Sequence, residues 1–143
     1  MPERAVISLS EAMTAVDAVL AETKARPGRP IAVVVVDHHG DMVAFACEAG
    51  ANPALARQNA YKKAYTSACM RVDSAAFGAR LRGQGSAPVE IGNPNFTGGA
   101  GGLVIAAGDG TILGGLGVSG RPDGAEDEAL AQAGLRVLRT LLA

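Results

Sequence analysis

Tryptophan is absent from this 143-residue chain, and phenylalanine and tyrosine together supply only five residues. A core of stacked aromatic rings is therefore excluded. Ala, Val, Leu and Gly must fill the interior, and small residues let backbones approach closely. Cysteine is nearly missing too: Cys47 and Cys69 stand alone, with no CxxC spacing. That excludes a zinc-type Cys/His site and a disulfide framework, and two buried thiols in apolar surroundings are expected. Neither sign of charge dominates, since 13 Lys and Arg face 14 Asp and Glu for a net charge of -1. A general electrostatic grip on nucleic acid is excluded on that balance. No apolar run reaches about 18 residues, so no membrane span is expected. The first residues, Met-Pro-Glu-Arg, lack the basic and apolar regions of a secretion signal, and a cytoplasmic location is the expectation.

What is present reads as one domain over 1–143, long enough to bury a core without covalent staples. Ser8 and Glu11 have capping-box spacing, with Ile7 and Ala12 placed for a hydrophobic staple. Met13, Val16, Val19 and Leu20 then fall on one face of a helix that ends before Pro27-Gly28. Ile31 to Val36 is a continuous β-branched run, the mark of a well-buried strand. His38-His39-Gly40-Asp41 turns the chain, and Met42 to Cys47 returns as the second strand of a hairpin. Asn52-Pro53 reads as a cap followed by proline at the first helical position, opening an Ala-rich helix to about Met70. Asp73 or Ser74 caps a shorter helix to about Leu81. Arg82 to Gly101 is dense in Gly and Pro and fits no regular element. Loops of this length are usually functional or disordered. Ile91 and Phe96 favour an ordered loop that packs on something. Leu103 to Ala107, a Gly108-Asp109-Gly110 turn and Thr111 to Ser119 make a second hairpin. Asp123 and Glu126 repeat the capping spacing before a helix lined by Leu130, Val137, Leu138 and Leu141. The order α-ββ-α-α-ββ-α implies an α/β (α+β) fold with an antiparallel sheet. The two terminal helices can share one face, and the middle helices must cover the other face or an edge.

Gly115, Gly117 and Gly120 match the dinucleotide pattern G-x-G-x-x-G between a strand and a helix. A dinucleotide fold needs a further parallel strand and an acidic residue about 20 positions on. After Gly120 the sequence has room for one helix, so the pattern reads as something else. Glycine late in a strand marks a bulge or a close backbone approach. Here it opens a groove beside the sheet or admits a neighbouring subunit.

Several residues carry candidate chemistry. His38 and His39 are the only histidines, and adjacent turn residues do not form a two-histidine chelate. They are solvated turn residues, or one is a ligand or general base. Lys62 and Lys63 lie 100 degrees apart on the middle helix, so at most one faces inward. An inward Lys63 could hold a carboxylate, or act as a base or Schiff-base amine. The bland alternative is a surface lysine or an ion pair with a carboxylate such as Asp37. The run Gly98 to Gly102 could offer N–H groups as an anion nest, or simply lead into a strand. Ser119 lies close before the final helix, whose N-terminus favours anions. Asp123, Glu126 and Asp127 already place negative charge there, and Asp123 reads as a cap. No nucleophile elbow surrounds Ser119.

Four segments together resemble the GlcG/HbpS-type family of haem-binding or haem-degrading domains, which also form the C-terminal part of some PduO proteins. They are Ile31 to Asp37 with Gly40, Lys63-Ala64-Tyr65-Thr66-Ser67-Ala68, Gly98 to Leu103, and Gly117-Val118-Ser119-Gly120 followed by Asp127. The resemblance covers nearly the whole chain. It implies a profilin-like central antiparallel sheet, homo-oligomers, and small-molecule sites near subunit contacts. It points to haem or a similarly flat or small ligand. The candidate ligand contacts are His38, His39, Lys63, Asn95, Phe96, Gly98, Gly99, Gly101, Gly102 and Ser119, with His38 or His39 on the metal only if haem is bound. The chain departs from the family where members often read Arg-Met-Asp-Gly and it has Cys47-Glu48-Ala49-Gly50. It also has no histidine in the first helix, which haem-binding members can supply. Two functions are therefore expected to compete. One is a small-molecule binding protein holding haem or a related cofactor. The other is a cofactor-free isomerase, hydratase or decarboxylase for a small carboxylate, with Lys63 as the catalytic residue.

Overall fold

In the computed structural model, which describes residues 6–143, the run Ala32–Asp37 (β1) is the organising element. Its five residues Ala32 to Val36 are fully buried. Val33 and Val35 join one apolar cluster, while Ala32, Val34 and Val36 join another on the opposite face. A strand covered on both sides has no reason to alternate polar with apolar residues, which is why its sequence is continuous.

The remaining elements are α1 (Leu9–Ala25), β2 (Met42–Cys47), α2 (Asn59–Met70), α3 (Ser74–Gly83), β3 (Gly102–Ala106), β4 (Ile112–Ser119) and α4 (Gly124–Leu141). All pairings are antiparallel and the strand order is β2-β1-β4-β3. The two hairpins thus meet along β1 and β4, with Ala32 opposite Ser119 and Val36 opposite Gly115. Helices α1 and α4 cover one face through Ala12, Ala15, Val16, Val19, Leu130, Leu135 and Leu138. Met13 and Leu141, read as core-facing, are exposed instead. The true stripe on α1 runs through alanines that hydropathy alone underweights.

Helix α2 covers the other face with Ala60, Ala64 and Ala68, spaced one turn apart. Glycines make this contact possible. A Cβ at Gly117 would overlap the Ala60 carbonyl, and one at Gly115 the Ala64 carbonyl. The expected groove or subunit approach is therefore filled by the chain's own helix. Gly120, at φ 138, crosses the backbone of Pro30 and Ile31. The dinucleotide-like spacing is accounted for by packing at all three positions.

Local signals act as physics predicts, with instructive exceptions. Ser8 and Glu11 form a reciprocal capping box, and Asn52 Oδ1 accepts from the N–H groups of Ala54 and Leu55. The first turns after Pro53 are wide π-type turns through Gln58 before α2 proper begins. Asp73 occupies the N-cap of α3 without capping it. Its carboxylate accepts from Val104 N–H on β3, while Ser74 Oγ accepts from Gly102 N–H. Asp123 caps α4 through Ala125 N–H, but Glu126 turns to Arg121 instead of closing a box.

The long segment after α3 is ordered and contains a short 3-10 helix, Pro88–Ile91, which the sequence reading omitted. Thr66 on α2 clamps the segment. Its Oγ1 accepts from Thr97 N–H at 3.0 Å and donates to the Asn95 carbonyl at 3.4 Å. Phe96 joins an aromatic chain with Tyr65 and Phe77 at centroid distances of 5.5 and 5.9 Å. Ile91 is exposed. The cysteines correct another expectation: Cys47 is exposed and Cys69 only half-buried. Cys47 pairs with Ala32 on the edge strand β2, where Phe45 and Met42 are exposed as well.

Candidate functional site

The close seating of α2 on the glycines of β4 carries Lys63 to the end of the sheet. Its backbone carbonyl lies against Gly102, and its stem runs along Gly101. Larger residues at either position would displace it. The lysine is 6% exposed. Its Nζ donates to Asp127 Oδ2 at 3.0 Å, the Val118 carbonyl at 3.1 Å and Ser119 Oγ at 3.3 Å. Those three acceptors match the three hydrogens of an ammonium. Asp37 is not the partner. It organises the β1–β2 turn by accepting from His39 and Asp41 N–H groups.

Asp127 lies in the first turn of α4 and is buried. Its second oxygen accepts from Arg121 N–H at 3.0 Å. Burial pushes its carboxyl above the usual 3.8, while the Lys63 charge and the Arg121 N–H pull the other way. Ser119 Oγ donates to the Leu55 carbonyl at 3.0 Å, fixing the lead-in to α2. Arg121 has a side chain only 1% exposed. Its guanidinium lies against Gly28, where a Cβ would collide, and Nη2 donates to the Arg26 carbonyl at 2.6 Å. Glu126 approaches Nη1 at 3.5 Å, close enough for charge attraction but without hydrogen-bond geometry. Nε also lacks a partner.

These groups border an open cavity of about 370 Å³, which Arg29, Asn59, Thr97 and Gly99 also line. Three cations, Arg29, Lys63 and Arg121, face a single lining carboxylate, Asp127. That carboxylate is already tied to Lys63. Arg29 is exposed and, among the described residues, has no hydrogen bond or ion pair. The cavity therefore presents positive potential, with Arg29 as its solvent-exposed donor, since the unpartnered nitrogens of Arg121 are buried.

Of the candidate ligand contacts named from the sequence, Lys63, Gly99 and Ser119 line this cavity. Gly101 and Gly102 pack beneath Lys63, and Gly98 packs against the backbone of Gly78. The run 98–102 is not a bare nest: Gly99 N–H donates to Thr97 Oγ1 and Gly102 N–H to Ser74 Oγ. Asn95 borders a different surface hollow with Tyr61 and Lys62. Phe96 is held in the aromatic chain. His38 and His39 stack on each other at 3.9 Å in the β1–β2 turn and do not line the cavity. His38 Nδ1 is buried without a partner. Glu48, at the departure from the family pattern, accepts from Ile31 N–H at 2.9 Å, a structural role.

Sequence reasoning missed Arg29, Asn59 and Arg121 as site residues. Nothing in their local spacing marks them, because they meet only when the α1–β1 linker, α2 and the β4–α4 turn converge. Asp127 was seen as charge opposing an anion, yet it neutralises Lys63. Among the described residues, no cluster of three or more His, Cys, Asp or Glu could hold a metal ion. No helix among them is long and apolar enough to cross a membrane.

Fold and cavity together define a mixed α/β small domain with a polar cleft at one end of a four-stranded antiparallel sheet. The chain belongs to the family described as haem degrading protein HbpS-like, whose model matches residues 7–136. A double mutant of Streptomyces reticuli HbpS is 29% identical, with TM-score 0.84 over 96% of this chain and 90% of that one. Klebsiella pneumoniae protein ORFY shares the fold at 19% identity and TM-score 0.84, covering 96% of this chain and 94% of its own. A PduOC:heme complex shares it at 23% identity and TM-score 0.79, covering 92% and 94%. No curated protein sequence gives a significant match.

Proposed function

We propose that this protein is a small-molecule binder of the HbpS type whose ligand presents a carboxylate to the cleft beside Arg29. The excess of lining cations over carboxylates, with Arg29 left unpaired, carries this reading. Lys63 contributes charge and position to the wall instead of a free hydrogen. Family membership makes haem or a related tetrapyrrole the leading candidate, since its propionates are carboxylates. The cleft fits that group only in part. Among the described residues its lining includes no His, Cys, Met or Tyr, side chains that ligate haem iron. The residues present suit propionates and not the metal, and His38 and His39 lie in a turn outside the cleft.

The test is a parallel titration with hemin and with metal-free protoporphyrin IX, followed by absorbance and fluorescence quenching. Comparable affinities are expected, unchanged in His38→Ala and His39→Ala and weakened in Arg29→Gln. Hemin binding that vanishes with either histidine would move the ligand out of the cleft. Failure of both tetrapyrroles would remove them as ligands. Assembly into homo-oligomers belongs to this reading as well, supported by exposed apolar Met42 and Phe45 on edge strand β2. Light scattering reporting a monomer would remove that part.

One observation favours a second reading, a cofactor-free isomerase, hydratase or decarboxylase for a small carboxylate. Asp127, pushed up by burial, sits with Lys63 and Ser119 on the cavity wall. Such a carboxyl is placed to hold or release a proton near a bound substrate.

A further inference from the structure

The cleft does not end at its charged compartment. A second hollow of about 320 Å³ adjoins it and shares Arg29, Leu55 and Gly120 as lining. The two compartments differ in chemistry. The first carries Lys63, Arg121 and Asp127. The second is bounded by Pro30, Gly50 and the shared Leu55, with one amide from Asn52. Asn52 Oδ1 is spent on capping, so only its NH2 group faces other partners. Leu55 is 60% exposed, a large apolar side chain standing at the junction. Leu55 offers apolar surface next to the Arg29 charge, a pairing that suits an occupant with both characters.

The geometry points to an amphipathic carboxylate as the ligand class, with one carboxylate on Arg29 toward the charged compartment and an apolar portion along Leu55 and Pro30. This rests on the reading of the cleft as an anion site and adds the tail and its compartment. Arg29 then sets the head and Leu55 the tail length. Lys63 and Arg121 act from behind the wall, because their hydrogens are committed or their side chains enclosed.

The probes are acetate, butyrate, hexanoate and hexanamide, titrated into the full chain by calorimetry. Affinity should rise from acetate to hexanoate by about fourfold per methylene that becomes buried. Hexanamide should bind at least about tenfold more weakly than hexanoate, the value of a charge-assisted contact. Arg29→Gln should weaken all three carboxylates while preserving the hexanoate-to-acetate ratio. Leu55→Ala should shrink that ratio. Both variants should melt as the parent does, because both positions are exposed. Equal affinity for acetate and hexanoate would overturn the second compartment and leave the anion site standing. Equal affinity for hexanoate and hexanamide would overturn the anion site itself, as would no binding by any probe.

Discussion

Lys63 shows how one buried charge can be satisfied without being idle. Its ammonium is enclosed by a carboxylate, a carbonyl and a hydroxyl, and removing one member leaves the other uncompensated. Lys63→Met should therefore cost about 3–5 kcal/mol in a denaturant titration. Adding Asp127→Leu should recover much of that loss, since an apolar pair of similar volume is often neutral or better. A double variant no more stable than the single would refute the coupling. For Asp127 itself, a side-chain carbon NMR titration should give a midpoint above 3.8. Raised in the fold, this carboxyl binds its proton more tightly than in the unfolded chain. Its stabilising effect is thus fully present below 3.8 and lost as pH rises through the folded midpoint. A midpoint below 3.8 would contradict the burial argument. The Cys69 thiol is also pushed up, by burial first, above its ordinary 9.0. Alkylation of Cys69 by iodoacetamide should climb with pH and still be rising at about pH 9, whereas a rate already at its plateau near pH 8 would contradict the shift. The sequence limited the inward position to at most one of Lys62 and Lys63 and left a surface lysine equally open. The partner of Lys63 was not legible: spacing gives which residues share a helix face but not which distant carboxylate meets it.

Among the elements, α2 and β4 depend on each other most closely. Their contact is backbone on backbone, mediated by Gly115 and Gly117, so neither side can yield by moving a flexible side chain. Gly117→Ala should destabilise by about 1–3 kcal/mol through overpacking and shift Lys63 off its acceptors. Gly83, at the end of α3, has nothing within 4 Å of an added Cβ. Gly83→Ala should instead raise stability by about 0.4–1 kcal/mol by restricting the unfolded chain. Thermal melts of the two variants should move in opposite directions, and a shared direction would refute the packing account. The strands, the capped helix starts and the hairpin turns were readable because period and turn chemistry are local. The diversion of Asp73 was not, because it is decided by the distant strand β3, and the short 3-10 helix at Pro88–Ile91 was not, because a single turn leaves no period to read.

Taken whole, the molecule sets its two most distant hairpins side by side, with β1 and β4 in the middle. Central strands covered on both faces should open only with global unfolding. Amide exchange should be slowest at Val33 to Val36 and Leu116 to Val118, and faster in edge strands β2 and β3. Equal protection across all four would deny that order. The terminal helices sharing one face followed from the alternation of elements, while the meeting of the α1–β1 linker, α2 and the β4–α4 turn around the cleft could not be read before the sheet order was known. At the outer margin, the start of α3 leans over β3, where Asp73 and Ser74 take the N–H groups of Val104 and Gly102. A foreign extended segment arriving there finds its docking rail already occupied, so the side of the molecule beside the glycine-rich loop is shielded against fibre-like growth.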